Sequence, residues 1–322
     1  MPYGQKSNTG IIFQDSYGTA GDTSSIHFIP NLSESLKLSI PPLISENMRG
    51  VFDEGDTYEG PRTVDGSIET EAQPIALGAL FKSVLEETSN VNSDGIYTRT
   101  FKPRTSDFDE KSANNPVTAY AYRDTGSAML YSDLNGAMLE LGIANGEFLK
   151  AKVDYVGGEF SQSASVAASY PVGKRWTWDT TSVSLGGSAV DEIMDMTISL
   201  DDGGLEASHT LNNSKYPSRI KRTSMRSISV SGTLKFENQD EYQEFISQSE
   251  RELIMTFKGA TEIQSGYNEE LIVKLPLMRY EEAAPAAEGA GYIEMSVTAK
   301  GKYSVDSGSS MELTLVNTQA NY

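Results

Sequence analysis

The run Val64-Asp65-Gly66-Ser67-Ile68-Glu69-Thr70-Glu71-Ala72-Gln73 lies without a gap over Val230-Ser231-Gly232-Thr233-Leu234-Lys235-Phe236-Glu237-Asn238-Gln239. The match continues beyond it, where Ala76, Ala79 and Leu80 fall on Tyr242, Phe245 and Ile246. Upstream, each copy has an alternating strand, Leu36-Leu38-Ile40 in one and Met194-Met196-Ile198-Leu200 in the other, followed by a long polar loop. Downstream, each has a short strand with Thr-Phe-Lys (Thr100-Phe101-Lys102 and Thr256-Phe257-Lys258), then a long hairpin ending in Val153…Gly157 or Val297…Gly301. Both copies read strand, long loop, strand, helix, strand, hairpin. Shared order together with a shared Val-x-Gly-[Ser/Thr]-[Ile/Leu] core points to an internal duplication.

The local signals are those of a mainly β protein. Apolar residues alternate through Leu36–Ile40, Val64–Thr70, Leu271–Leu275 and Ile293–Val297, the period of a half-buried strand. Asn145-Gly146 separates two strand-like runs and supplies the positive φ angles of a tight hairpin. Helical spacing occurs twice. After Pro74 it links Leu77, Leu80, Phe81, Val84 and Leu85; after Asn238, which with Glu241 spells a capping box, it links Tyr242, Phe245 and Ile246. The Ser/Ala/Gly-rich stretch 161–174 reads as a linker. The division expected is an N-terminal arm 1–24, domain 1 over 25–160, domain 2 over 175–304 and a C-terminal arm 305–322, with the first arm polar enough to be mobile in an isolated subunit.

A length of 322 residues allows one large domain or two small ones, and two is the better starting expectation. With no cysteine there is no disulfide, thiolate metal site or thiol nucleophile. The polar N-terminus reads as no signal peptide, and nowhere do enough apolar residues run together to cross a bilayer, so synthesis in the cytoplasm and no membrane partner are expected. The formal net charge of -19 repels phosphate and argues against nucleic-acid binding by backbone neutralisation; it also keeps a concentrated protein soluble.

Catalytic material is sparse. The two histidines, His27 and His209, stand in unlike contexts and read as surface or packing residues. Gly157-Gly158, Gly186-Gly187 and Gly203-Gly204 lack the neighbours of a phosphate-binding loop and read as turns. Asp201-Asp202 and Glu281-Glu282 sit at strand ends, where adjacent acids are usually solvated, and neither fits a calcium loop. Trp176-Thr177-Trp178 puts both indoles on one face of an extended segment, either as packing or as a sugar-stacking platform. No enzyme activity, metal or cofactor is expected. A β-sandwich carbohydrate-binding or adhesion module is the alternative.

The arrangement resembles the tail tube proteins of long-tailed, siphovirus-type bacteriophages, in the long form with two tube-type domains in one chain. In the first copy the resemblance is carried by Val64–Gln73 and the helix through Leu85. In the second it is carried by Ser218-Arg219-Ile220-Lys221-Arg222, Ser227–Phe236, Asp240–Ser247, the hairpin Leu271–Tyr280 with Tyr292–Lys300, and the ending Glu312–Asn317. It implies a β-sandwich or partial barrel with one flanking helix per domain, and six domains closing a ring. Three copies of a two-domain chain would supply these, as stacked, trimeric, pseudo-sixfold rings in the virion tail. It also implies tape measure and tail terminator proteins as partners, and DNA passing without specific binding. Independently of any family, a short β domain must cover its strand edges, and ring closure pairs each edge with a neighbour.

Two sets of residues become candidates for function. The long loops Pro41–Arg62 and Asp201–Arg226 exceed ordinary connections and are candidates for contacts between rings. The first carries Glu46, Asp53, Glu54, Asp56 and Glu59, the second Lys215, Arg219, Lys221, Arg222 and Arg226, so the two could pair across rings. A conduit for DNA should expose few cations. Of the polar strand positions, Glu69, Glu140, Asp195 and Glu294 are the acids expected to face the lumen, although Lys37, Lys150, Lys152 and Lys235 share those faces.

Overall fold

A computed structural model describes residues 2–48, 50, 52–105, 116–286 and 292–322; part of the Pro/Ala/Gly loop of the second long hairpin, 287–291, lies outside them. In chain order the first half contributes β1 (Asn8–Phe13), β2 (His27–Ile29), β3 (Asn31–Glu34), β4 (Lys37–Ser39), β5 (Pro42–Ile44), β6 (Thr57–Glu59), β7 (Thr63–Glu71), helix α1 (Pro74–Val84), β8 (Glu86–Ser93), β9 (Ile96–Lys102), β10 (Val117–Tyr122), β11 (Ser127–Ala144), β12 (Lys150–Gly157) and β13 (Glu159–Ala164). The second contributes β14 (Thr181–Leu185), β15 (Ser188–Ala189), β16 (Ile193–Asp201), β17 (Leu205–Ser208), β18 (Arg219–Arg222), β19 (Ser227–Lys235), helix α2 (Asp240–Ser247), β20 (Arg251–Gln264), β21 (Tyr267–Ala286), β22 (Glu294–Lys302) and β23 (Glu312–Asn317). The protein is mainly β, as the alternation predicts; among the described residues there are two α-helices, and the strands do not close into a barrel.

The principal sheet is assembled the same way in each half. In the first, β3 and β4 lie along β7, β7 pairs with β12, and β12 pairs with the second part of β11. In the second, β16 lies along β19, β19 pairs with β22, and β22 pairs with the second part of β21. All these ladders are antiparallel. The halves are then joined edge to edge, because β11 also pairs with β16, from Met138↔Asp201 to Ala144↔Asp195. One sheet thus runs from β3–β4 at one edge through the β11–β16 seam to β21 at the other.

Alternation gives this sheet one apolar face. Val64, Ile68, Leu139, Leu141, Val153, Ile198, Leu200, Val230, Leu234 and Val297 are buried, and they belong to a single apolar cluster that includes residues of both halves. Covering that face requires a second layer. The first part of β11 bends out of the principal sheet to pair with β10 and β13, while β1 pairs with β10 and β2. The bend is at Asp133, whose φ of 57° is held by Gln14: the Asp133 N–H donates to Gln14 Oε1 at 2.8 Å, and Gln14 Nε2 donates to Asp133 Oδ1 at 3.0 Å. Within the stretch read as an arm, Ile11 and Ile12 are fully buried, and that apolar pair seats β1 in the sheet.

The segment read as a C-terminal arm contains β23, which inserts between β21 and β9 and so bridges the halves. Arg99 of β9, almost fully buried, ion-pairs with Glu87 at 3.3 Å and donates to Asn317 Oδ1 and to the carbonyls of Gln319 and Ala320. Two local expectations change. Only Gly146 of the Asn145-Gly146 turn has positive φ (82°), since a single left-handed residue suffices there. No capping box forms at α2: Asn238 Oδ1 accepts from Asp240 N–H at 2.9 Å, while Glu241 is drawn to Arg251 and to Tyr280 Oη, which donates to it at 2.6 Å.

Candidate functional site

The other face of the principal sheet is polar. Residues directly opposite across a ladder share a face, so side chains can be followed in rows across both halves. One row runs Ser33, Glu69, Lys152, Glu140, Ser199, Ser229, Lys300 and Arg279. The next runs Glu71, Lys150, Gly142, Thr197, Ser231, Thr298 and Glu282. A third passes through Ala144, Asp195, Thr233, Ser296 and Ala284, and a fourth through Lys235, Glu294 and Ala286.

The four acids singled out from the sequence therefore stand on one face of one continuous sheet. Each pair has a lysine beside it: Lys152 lies between Glu69 and Glu140, and Lys235 lies opposite Glu294. Ser33 Oγ donates to Glu69 Oε2 at 3.0 Å, and Lys152 Nζ is 3.1 Å from Asp154 Oδ1. Hydroxyls and interleaved charges of both signs make this face hydrophilic without a block of either sign.

Both edges of the sheet carry backbone groups that no strand takes up among the described residues. At one end β3–β4 pairs only with β7; at the other, the stretch Arg279–Ala286 of β21 pairs only with β22. The corresponding positions at the centre of the sheet are filled by each other, as β11 and β16.

The two long loops contain hairpins, β5 with β6 and β17 with β18, and they meet at one end of the sheet. Arg62 N–H donates to the Lys215 carbonyl at 2.8 Å, Arg62 Nη1 donates to Tyr216 Oη at 3.0 Å, and the Arg62 guanidinium lies 5.4 Å from the Tyr216 ring centre. Glu59 pairs with both Lys215 and Arg62, and these partners hold its carboxyl below the usual carboxylate range. Charge pairing between the loops thus exists within the chain. Asp53, Glu54 and Asp56 remain exposed at the first tip, Lys221 is exposed on β18, and Arg219 is half-buried.

Arg222 and Arg226 turn inward instead, onto Asp202, at 3.0 and 2.7 Å. Asp202 is 1% exposed, which corrects the expectation of a solvated Asp201-Asp202 pair. Asp201 Oδ1 accepts from Gly203 and Gly204 N–H, both at 2.9 Å, and this fixes the turn that carries Asp202 inside. Sequence reading missed this cluster because its acid and arginines are about twenty residues apart and meet only when β17 and β18 pair.

The remaining candidates also find their places. His27 is half-buried between Phe13 and Tyr322, and burial together with nearby Lys82 lowers its pKa; His209 Nε2 is 3.1 Å from the Arg62 carbonyl. Trp176 is 1% exposed and Trp178 50% exposed. The chain turns into a 3-10 helix at Trp178–Thr180, so the indoles form no common platform, and a carbohydrate-binding reading loses its stacking surface.

A sheet with one solvated face, one packed face and two unfilled edges is the plan of a β protein that further copies can extend. Residues 4–305 match the family described as phage tail tube protein. The chain belongs to that family, and with it to the structural proteins of the bacteriophage virion tail, which assemble with themselves into a tube. A comparison with curated proteins finds no match.

Proposed function

We propose that three copies of this chain close a ring in which each half contributes one tube unit, and that rings stack head to tail into a hollow conduit for DNA. The observation that carries this reading is the β11–β16 seam, which already joins two like-ordered four-strand units edge to edge inside one chain. Repeating that junction between copies brings the Arg279–Ala286 edge of one chain to the β3–β4 edge of the next, and both edges are then paired. The units correspond to residues 25–160 and 175–304, joined through 161–174.

In such a ring the packed face looks outward and the polar face lines the bore. Glu69, Glu140, Asp195 and Glu294 there keep phosphate from adhering, Lys152 is held by Asp154 and Lys235 stands opposite Glu294, so DNA slides without specific binding. The role is structural and non-enzymatic. Loops 41–62 and 201–226 make the contacts between rings, tape measure and terminator proteins meet the tube inside and at its end, and the subunit is made in the host cytoplasm before assembly.

Cryo-electron microscopy of tubes grown from the purified chain tests the arrangement, with three chains per ring expected; six chains per ring would overturn it. Reversing all four acids to lysine is expected to abolish DNA delivery, and normal delivery by that variant would count against an acidic bore. Deleting residues 50–60 should leave soluble subunits that do not polymerise.

A further inference from the structure

Strand β16 has unlike surfaces at its two ends. Beyond Asp201 stands the loop 202–226, whose Leu211 is 109% exposed and touches nothing that would hide it. Its cations include Lys221, exposed on β18, and Lys215, whose side chain is still 55% exposed although it pairs with Glu59. At the Ile193 end, eight residues away and so about 27 Å along the strand, a cleft of about 530 Å³ opens where the 143–145 turn of the first half meets β14–β15. Ile143, Trp178, Val183, Val190, Ile193 and Met194 are among its apolar lining residues. Asp179, Asp191 and Asp195 also line it, against Lys235 as the one cation among the described residues of the lining.

The loop is basic with an apolar tip, and the cleft is acidic with an apolar floor. Complementary, non-identical surfaces at opposite ends of one strand are what an open head-to-tail association needs, because each copy then offers the next copy a fresh socket. A half-exposed tryptophan in an apolar cleft is also a surface that association ordinarily covers. We infer that the cleft around Trp178 is the socket for the 202–226 loop of a copy in the adjacent ring, with Leu211 seated against Trp178 and Val190 and with Lys215 and Lys221 facing Asp179 and Asp191. This contact rests on the tube reading and names the stacking surface that reading leaves open.

Trp176 is buried and Trp178 is half-exposed, and the chain has no other tryptophan, so fluorescence reports the socket directly. On polymerisation of the wild-type chain, emission should shift to the blue and quenching by acrylamide should fall; Trp178→Phe should polymerise with neither change. Leu211→Ser and Lys221→Glu should each raise the concentration needed for tubes by about tenfold or more, and Asp191→Lys should restore assembly to the Lys221→Glu chain. A Leu211→Cys, Val190→Cys chain should give disulfide-linked ladders in tubes and none as dissolved subunits. Tubes in which Trp178 stays as accessible as in the subunit would overturn the contact alone. A wild-type chain that forms neither rings nor tubes would sink the tube reading and this contact with it.

Discussion

Helices α1 and α2 follow matched strands and occupy matched places in the duplicated pattern, yet they live in different surroundings. Leu80 of α1 is fully buried, whereas Ile246, the residue it falls on, is 55% exposed. Apart from Ile75 and Lys82 the residues of α1 are buried, while α2 has no fully buried residue. The cause lies outside the helices. α1 is covered by β1, β2, β11 and β23, and the Tyr322 ring rests on Gly78, where a Cβ would come within 2.1 Å of it. Tyr322 is fastened there by Lys82, whose Nζ donates to the Tyr322 carbonyl at 2.8 Å, and by Asn317, which donates to its hydroxyl at 2.7 Å. Among the described residues no equivalent segment lies over α2, which packs on β21, with Tyr242 and Phe245 against the apolar cluster. A repeated sequence pattern specifies which element forms; what covers that element decides how deeply it is buried.

The sharpest test of this contrast sets Arg99 against Arg251. Arg99→Ala removes the buried cation that ties β9 to the C-terminal segment and leaves Glu87 short of its partner, so a loss of about 3–5 kcal/mol is expected in urea denaturation of the subunit. Arg251→Ala opens a more exposed pair with Glu241 and should cost less than half as much. Equal losses would mean that the C-terminal segment is no special fastener of the first half.

Next comes the matched pair itself. Leu80→Ala should cost about 2–5 kcal/mol through the cavity it leaves, and Ile246→Ala within about 0.5 kcal/mol. Comparable values in the isolated subunit would break the comparison; a large effect of Ile246→Ala on tube yield alone would sharpen it, by making α2 an assembly surface. Glu241→Gln is expected to cost about 1–2 kcal/mol, because it weakens the contacts of α2 with both Arg251 and Tyr280.

The smallest effect is one of pH. Burial and Lys82 hold His27 below the usual histidine range, so the unfolded chain binds the proton more readily than the folded one. The stability His27 contributes is present above the unfolded value near 6.5 and is lost as pH falls from there through the folded value. Between pH 7 and pH 5 the urea midpoint of the wild type should therefore fall further than that of His27→Gln; parallel curves would remove His27 from the account of how α1 is covered.

Much of this was legible beforehand. Alternation at Val64–Thr70 and at Ser227–Phe236 is a local property set by which side chains must leave water, and it located β7 and β19 together with the polar face carrying Glu69 and its counterparts. Pro74 with the stripe to Val84 located α1 for the same reason. The segments read as long polar loops hold short hairpins, because polar, partly exposed strands such as Arg219–Arg222 lack the contrast of side chains that betrays a period. What local patterning leaves open is which edge meets which. The β11–β16 seam, the insertion of β23 between β21 and β9, and the burial of Asp202 under Arg222 and Arg226 join residues distant in the chain. Backbone edges look alike from sequence, so their partners are chosen by which closure covers the most apolar surface and leaves the fewest polar groups unpaired, a balance struck only by the whole fold.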